Sequence, residues 1–486
     1  MDDLLNENLK DHKNNKKYEK YTFKYKNAWE NIEKKSENAC FDFCDEYKTF
    51  LDKGKTEREV VDGIIIFAER NGFVDLKKLI DADIRIEPGQ KFYYVNKSKS
   101  MILCTIGKNP LEHGINIIGS HIDAPRVDLK QTPLYEDTEM AYFETHYYGG
   151  IKKYQWVTIP LALHGIIFKR SGETVKITIG EDPSDPVFVF TDLLPHLAQE
   201  QMQKKMSEGI TGEGLNLLIG SIPVREKDIS KPVKMNLLKI INKKYGLTEE
   251  DFISAELEIV PAFKASDVGF DRGLIGAYGQ DDRSCVYASM KAIFDDNNEI
   301  PERTSICLLT DKEEIGSVGN TSAQGSFFIN FIVELYALTD TKSNIELIYR
   351  RCFENSYMLS ADVNAAVDPN YEGVQEKRNA SYINKGVVIQ KYTGSRGKSD
   401  ASDANPEYIA KITKQFTDKK ISWQTGDLGK VDLGGGGTIA QYIANLGTEV
   451  LDCGPAILSM HSPFEVSSKI DIYETYRAYK AFYNMV

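Results

Sequence analysis

From about residue 259 to the C-terminus, short apolar runs alternate with amphipathic helical patterns, and this alternation restricts the possible folds more than any other feature of the chain. SCVYASMKAIFDD, GSFFINFIVELYAL, NPEYIAKITKQF, GGTIAQYIANLG and the segment from 470 read as helices. TSICLLTD, YMLSADVN and KGVVIQKYT read as strands. Strands joined through helices run parallel, and the helices then cover both faces of the sheet. The expected class is therefore α/β, with a mixed, mainly parallel sheet sandwiched by helices. Residues 1–80 read mostly as helix, with amphipathic spacing over 57–72. Strands at 92–96, 100–107 and 115–123 are assigned to the same sheet.

Between about 126 and 258 the texture changes. IPLALHGIIFKR, TVKITIG and PVFVFTDLL are strand-like and separated by Gly, Pro and Asp turns. This segment reads as a β-rich unit inserted into a discontinuous domain made of 1–125 and 259–486.

The polar residues that follow the apolar runs carry the chemistry. In open α/β sheets, ligands bind beyond the carboxyl ends of the strands. INIIGS leads to His121 and Asp123, GLIGAYGQ to Asp281 and Asp282, TSICLLTD to Glu313 and Glu314, and YMLSA to Asp362. GPAILSMHSPFE carries His461. A charge directly after a buried run is costly unless it is paired or bound to metal. Two histidines and several carboxylates suit zinc, with manganese or cobalt as substitutes. A two-metal site needs one bridging carboxylate. The set divides accordingly: His121 and Asp362 on one ion, Glu314 and His461 on the other, and Asp281 between them. Asp123, two residues from His121, is placed to accept from the ring N–H and fix its tautomer. Glu313 is then free to act as general base and later general acid for a metal-activated water.

Each element alone has a plainer reading. H-x-D occurs in ordinary turns, and an Asp at the start of SCVYASMKAIF can cap a helix, a role that fits Asp282. The joint occurrence of all the elements at run ends is what points to metal chemistry.

Taken together, GSHIDAPRVDLK, GQDDRS, TDKEEIGSVG, SADVNAAVDPN, DLGGGGTIA and LSMHSPFE resemble the aspartyl aminopeptidase and vacuolar aminopeptidase I family of co-catalytic zinc exopeptidases. The resemblance spans most of the chain. It implies the same ligands (His121, Asp281, Glu314, Asp362, His461), Glu313 as base and Asp123 as orienter. It also implies that the 126–258 insertion is a dimerisation domain and that the chain forms a tetrahedral dodecamer built from dimers. In that family a histidine of the insertion reaches a neighbour's active site, and His196 in LPH matches the position. Read from its own context, His196 is a capping or surface residue. Acid-preferring members carry histidines after the metal-binding aspartate, where this chain has Ala365 and Asp368. Lys391, Arg396 and Lys398 form either a compensating cationic pocket or a solvated basic loop. Around Gly435, the run Gly434 to Gly437 either lets backbone approach a substrate and hold an oxyanion, or is a turn before a helix.

The expected function is a two-metal aminopeptidase that releases single N-terminal residues, and the resemblance implies that sites enclosed in a shell restrict it to short peptides. A carboxypeptidase or deacylase using the same site is the alternative, followed by a non-catalytic assembly protein. The formal charge of −12 argues against a nucleic-acid partner. No apolar run approaches the roughly 20 residues of a membrane span. The polar, lysine-rich N-terminus and seven cysteines without a C-x-x-C lead to the expectation of a cytoplasmic protein with buried, reduced thiols. No phosphate-binding glycine motif is present.

Overall fold

The computed structural model describes residues 21–295, 299–339 and 344–486. The helical expectation for residues 1–20 lies outside the described residues. The central sheet has nine strands, in the order Val74–Asp75, Lys91–Asn96, Ser100–Thr105, Ser305–Thr310, Asn116–His121, Tyr357–Ser360, Glu449–Gly454, Val387–Gln390 and Trp423–Thr425. Its middle four strands are mutually parallel, and antiparallel pairs occur toward both edges. The class is thus the expected mixed, mainly parallel α/β sheet.

Strand periodicity explains why this sheet is buried on both faces. Leu103, Ile118, Cys307, Leu309, Leu359 and Leu451 point into one core, beneath the helices Lys34–Lys53, Gln280–Phe294 and Lys469–Tyr483. Their neighbours Ile102, Cys104, Ile117, Ile306, Leu308, Met358 and Val450 point into the other, beneath Phe327–Ala337 and Ile345–Glu354. Each fully buried Leu or Ile contributes roughly 1.5–3 kcal/mol, so both faces act against displacement of the middle strands. All seven cysteines are free and buried.

In a second, seven-stranded sheet each strand pairs antiparallel with its neighbours, in the order Thr174–Ile179, Leu161–Phe168, Ala255–Pro261, Arg126–Asp137, Met140–Tyr148, Leu217–Gly220 and Val189–Phe190. The chain enters it at Arg126 and leaves by Ala255–Pro261, which pairs with the entry strand through Ile259 and Val127. The helix Pro232–Tyr245 packs on this sheet through Val233, Leu237, Leu238 and Ile241.

The third sheet, five-stranded, has no counterpart in the sequence reading: Ser266–Val268, Leu274–Ala277, Glu465–Ser468, Ala456–Leu458 and Asn364–Ala365. It breaks the expected continuous strand YMLSADVN in two. Tyr357–Ser360 stays in the central sheet and Asn364–Ala365 joins the third, which leaves Asp362 in the gap. The expected helix over 436–447 contracts to Ala440–Ala444, preceded by the extended glycine run. Among the described residues, no helix is long and apolar enough to cross a membrane.

Candidate metal centre

Parallel register places the centre. His121 ends its strand opposite Thr310, and Gly119 on the same strand lies opposite Ser360. The chain therefore delivers His121, the Asp311–Glu314 segment and Asp362 at one edge of the sheet. After Thr310 the backbone turns sharply, with Lys312 at φ 67° and Gly316 at φ 94°, and Glu313–Ile315 form a single 3-10 turn.

Asp123 holds this turn. Its Oδ1 accepts the Glu313 N–H at 3.1 Å, and its Oδ2 accepts the Glu314 N–H at 3.1 Å and the Tyr148 hydroxyl at 2.9 Å. The nearest partner of the His121 ring is the backbone of Asp123: Nδ1 donates to its carbonyl at 3.0 Å, with carboxylate Oδ1 at 3.3 Å. Either contact keeps the proton on Nδ1. The lone pair of Nε2 then faces Asp281 Oδ1 at 3.3 Å, Glu313 Oε2 at 3.9 Å and Asp362 Oδ1 at 4.0 Å.

The third sheet supplies the opposite side. His461 lies between its strands Ala456–Leu458 and Glu465–Ser468, with φ at 64°. Its Nδ1 donates to the Gly150 carbonyl at 3.0 Å, and Nε2 faces Asp281 Oδ2 at 3.2 Å and Glu314 Oε2 at 3.4 Å. Glu465 ties the backbones of His461 and Asp281 together by accepting from the His461 N–H at 2.8 Å and the Asp281 N–H at 3.1 Å. The two oxygens of Asp281 are thus shared between two histidines.

Capping does not describe Asp282. Its backbone is non-helical, its Oδ2 accepts the His121 N–H at 3.4 Å, and its Oδ1 is buried without a partner. Asp282 also lies within ligand distance of His121 and Asp362. Its bond to the His121 backbone makes it a support for the strand end, whereas Asp281 offers one oxygen to each histidine. Sequence reasoning missed Glu465, Tyr148 and Gly150 as well. Glu465 carried a weak signal, four residues after His461 in LSMHSPFE, and the other two carried none.

The fit to a cation can be tested on the donor set. His121, Glu313 and Glu314 have ligand atoms within 4.8 Å of one another, as do Asp281, Glu314 and His461. Glu314 Oε1 is buried without a partner. Burial pushes the carboxyls of Glu314 and Asp362 up, as does the surrounding negative charge. Burial opposes the charged form of His461, yet Asp281 and Glu314 lift its pKa to about 10. For Asp281, burial is outweighed by both histidines, which hold its carboxyl low. A cluster that draws protons onto its histidines this strongly attracts cations, and its N and O donors suit zinc.

The remaining candidate residues make their contacts outside this cluster. The glycine run and the basic loop are joined: Gly436 N–H bonds to Thr393 at 3.2 Å, and a Cβ at Gly435 would meet Gly394 O at 2.3 Å. Lys391 is exposed, and Lys398 is paired with Asp403 at 3.0 Å. Asp368 caps the turn after Pro369 by accepting the Asn370 N–H at 2.8 Å. His196 is exposed in a turn following the strand Val189–Phe190.

The profile of the family described as aminopeptidase I zinc metalloprotease (M18) matches residues 50–483. A probable M18 family aminopeptidase 1 from Clostridium acetobutylicum is 52% identical over 460 residues, covering 95% of this chain and 98% of its own. The crystal structure of an M18 aminopeptidase from Thermotoga maritima aligns with a TM-score of 0.90 at 43% identity, covering 96% of this chain and 100% of that one. A more distant match in fold is the S. cerevisiae mApe1 dodecamer, with a TM-score of 0.73 at 23% identity, covering 91% of this chain and 96% of that one.

Proposed function

The chain belongs to the aminopeptidase I zinc metalloprotease family (M18), and on that premise we propose that it works through two divalent ions held by His121, Asp281, Glu314, Asp362 and His461. The protein is a zinc-dependent aminopeptidase. The observation that carries the two-ion reading is the pair of Asp281 oxygens, 3.3 Å from His121 Nε2 on one side and 3.2 Å from His461 Nε2 on the other. Zinc is the ion named in the family description; manganese and cobalt suit the same donors.

Bound there, the ions supply Lewis acidity that polarises the scissile carbonyl and makes a water easier to deprotonate. Glu313 takes the water's proton on its carboxylate and returns it to the leaving amine nitrogen. Burial pushes its carboxyl up to about 7, a value suited to a group that accepts and releases a proton near neutral pH. Asp123 fixes the turn that carries Glu313 and Glu314 by accepting the backbone N–H of each. The acidic lining favours a substrate's α-amine over an α-carboxylate, which counts against a carboxypeptidase. Ala365 and Asp368, which stand where acid-preferring members carry histidines, are the basis for a preference for neutral N-terminal residues over acidic ones.

For assembly, the reading is that residues 126–258 form a dimerisation domain inserted into a catalytic domain of 1–125 and 259–486, and that dimers build a tetrahedral dodecamer. The relative from S. cerevisiae is a dodecamer. Exposed Leu193, Leu194, Leu197, Met202 and Met206 give the unit an apolar face, and His196 lies among them, free to reach a neighbour's site. The seven free thiols support a cytoplasmic setting.

The test is a panel of aminoacyl-p-nitroanilides, namely Leu, Met, Lys, Asp, Glu and an N-acetylated control, with zinc, manganese or cobalt and with a chelator. The expected result is chelator-sensitive cleavage of free-amine substrates, faster for Leu or Met than for Asp, and none of the acetylated one. Cleavage of the acetylated substrate would sink the exopeptidase assignment, and Asp as the best substrate would sink the neutral preference.

A further inference from the structure

The antiparallel sheet meets the metal centre at the end of the strand Met140–Tyr148 and the two glycines after it. Tyr148 donates its hydroxyl to Asp123 Oδ2 at 2.9 Å. Gly149, at φ 73°, lies against Glu314, so that a Cβ there would stand 3.4 Å from the Glu314 Cβ. Gly150 accepts the Nδ1–H of His461 at 3.0 Å, and a Cβ on Gly150 would stand 3.4 Å from that same nitrogen. Three consecutive residues thus reach Asp123, Glu314 and His461.

The segment is itself firmly held. The Arg126 guanidinium lies 3.9 Å from the Tyr148 ring centroid. Arg126 also pairs with Glu57 at 2.7 Å, Asp128 at 2.8 Å and Glu258 at 3.1 Å. Glu57 opens a helix of the first eighty residues, and Glu258 lies on the strand that leaves the antiparallel sheet. Arg126, Glu57 and Glu258 are all buried, so the guanidinium has little freedom to release the ring.

We propose that Tyr148 and Gly150 are positioning residues for the metal centre, which makes the antiparallel sheet a structural part of that centre. The proposal rests on the two-ion reading. Tyr148 fixes the Asp123 carboxylate, and through it the Glu313–Glu314 turn. Gly150 fixes the tautomer and orientation of His461. Partners of this kind typically change metal affinity 10–100-fold when removed. Any shift of the antiparallel sheet against the central sheet is then felt by both halves of the centre.

The experiment measures zinc binding to the metal-stripped full-length chain by competition with a chromophoric chelator, alongside kcat, KM, apoprotein melting and oligomer size. Tyr148→Phe removes the hydroxyl and keeps the ring over Arg126. It should weaken zinc binding about tenfold or more and lower kcat with KM nearly unchanged, while apoprotein melting and oligomer size stay as in the parent. Gly149→Ala should weaken zinc binding by straining the backbone, at φ 73°, that presents the Gly150 carbonyl to His461. Tyr147→Phe, at an exposed neighbour, should change neither zinc binding nor kcat. Zinc binding within twofold of the parent in both Tyr148→Phe and Gly149→Ala would overturn the proposal while leaving the metallo-aminopeptidase intact. If Gly149→Ala fails to assemble, Tyr148→Phe alone decides. Failure of the parent chain to bind zinc would overturn the ligand assignment and this inference with it.

Discussion

The two histidines of the centre are held in different ways. His121 ends a strand with parallel neighbours on both sides, and its side chain is 2% exposed. His461 stands between two short strands in the left-handed region, its side chain is 35% exposed, and its ring is anchored by a carbonyl from the antiparallel sheet. Moving His121 means breaking ladder bonds and disturbing two apolar cores. Moving His461 needs only a shift of one loop or of one sheet against another. One half of the centre is therefore anchored chiefly by the central sheet, and the other chiefly by how the sheets meet.

The largest expected effect cuts across this contrast. Glu313→Gln keeps the shape of the side chain but removes the proposed base, and should lower kcat by about 10²–10⁴-fold with zinc content unchanged. Loss of zinc in that variant would place Glu313 among the ligands and end the division of labour between the adjacent carboxylates.

Graded chelation tests the contrast directly. Zinc should leave in two phases, the His461 side first, with affinities at least about tenfold apart, as expected where supporting partners differ. His461→Ala should retain the tighter ion and His121→Ala only the weaker one. A single phase, or the reverse order of retention, would break the comparison.

The smallest effect concerns the joint between the antiparallel sheet and the N-terminal helices. Burial raises the Glu181 carboxyl, but bonds from His164, Lys264 and Lys55 pull it down to about 2. A folded pKa below the unfolded one gives stability that is present above the ordinary carboxylate range and is lost as pH falls toward about 2. After allowance for solvent screening, this amounts to on the order of 1 kcal/mol. Urea melts taken from about pH 5 down to about pH 3 should show it, and Glu181→Gln should flatten that part of the profile. An unchanged slope in the variant would assign the acid sensitivity to other carboxylates.

Much of the centre was legible before any coordinates, because a charged residue directly after a buried apolar run has few stable environments. That logic picked out His121, Glu313, Glu314 and Asp362, and the class of the sheet followed from strand–helix alternation. It left Asp282 open between capping and another role, since a carboxylate before a helical pattern reads the same whether it caps the helix or supports a neighbouring strand. It also ran YMLSADVN as one strand, because apolar continuity carries no mark of which sheet each half will join.

The sequence by itself determined which residue types stand at the strand ends, and therefore the chemistry: nitrogen and oxygen donors with a spare carboxylate. Only the tertiary structure decided which Asp281 oxygen meets which histidine, that Glu465 ties the backbones of His461 and Asp281, and that Tyr148 and Gly150 reach in from another sheet. Apart from His461 and Glu465, four positions apart, these contacts join residues 25 to 311 positions apart. Periodicity and local propensity act over a few residues, so partnerships across such separations exist only once the sheets have packed.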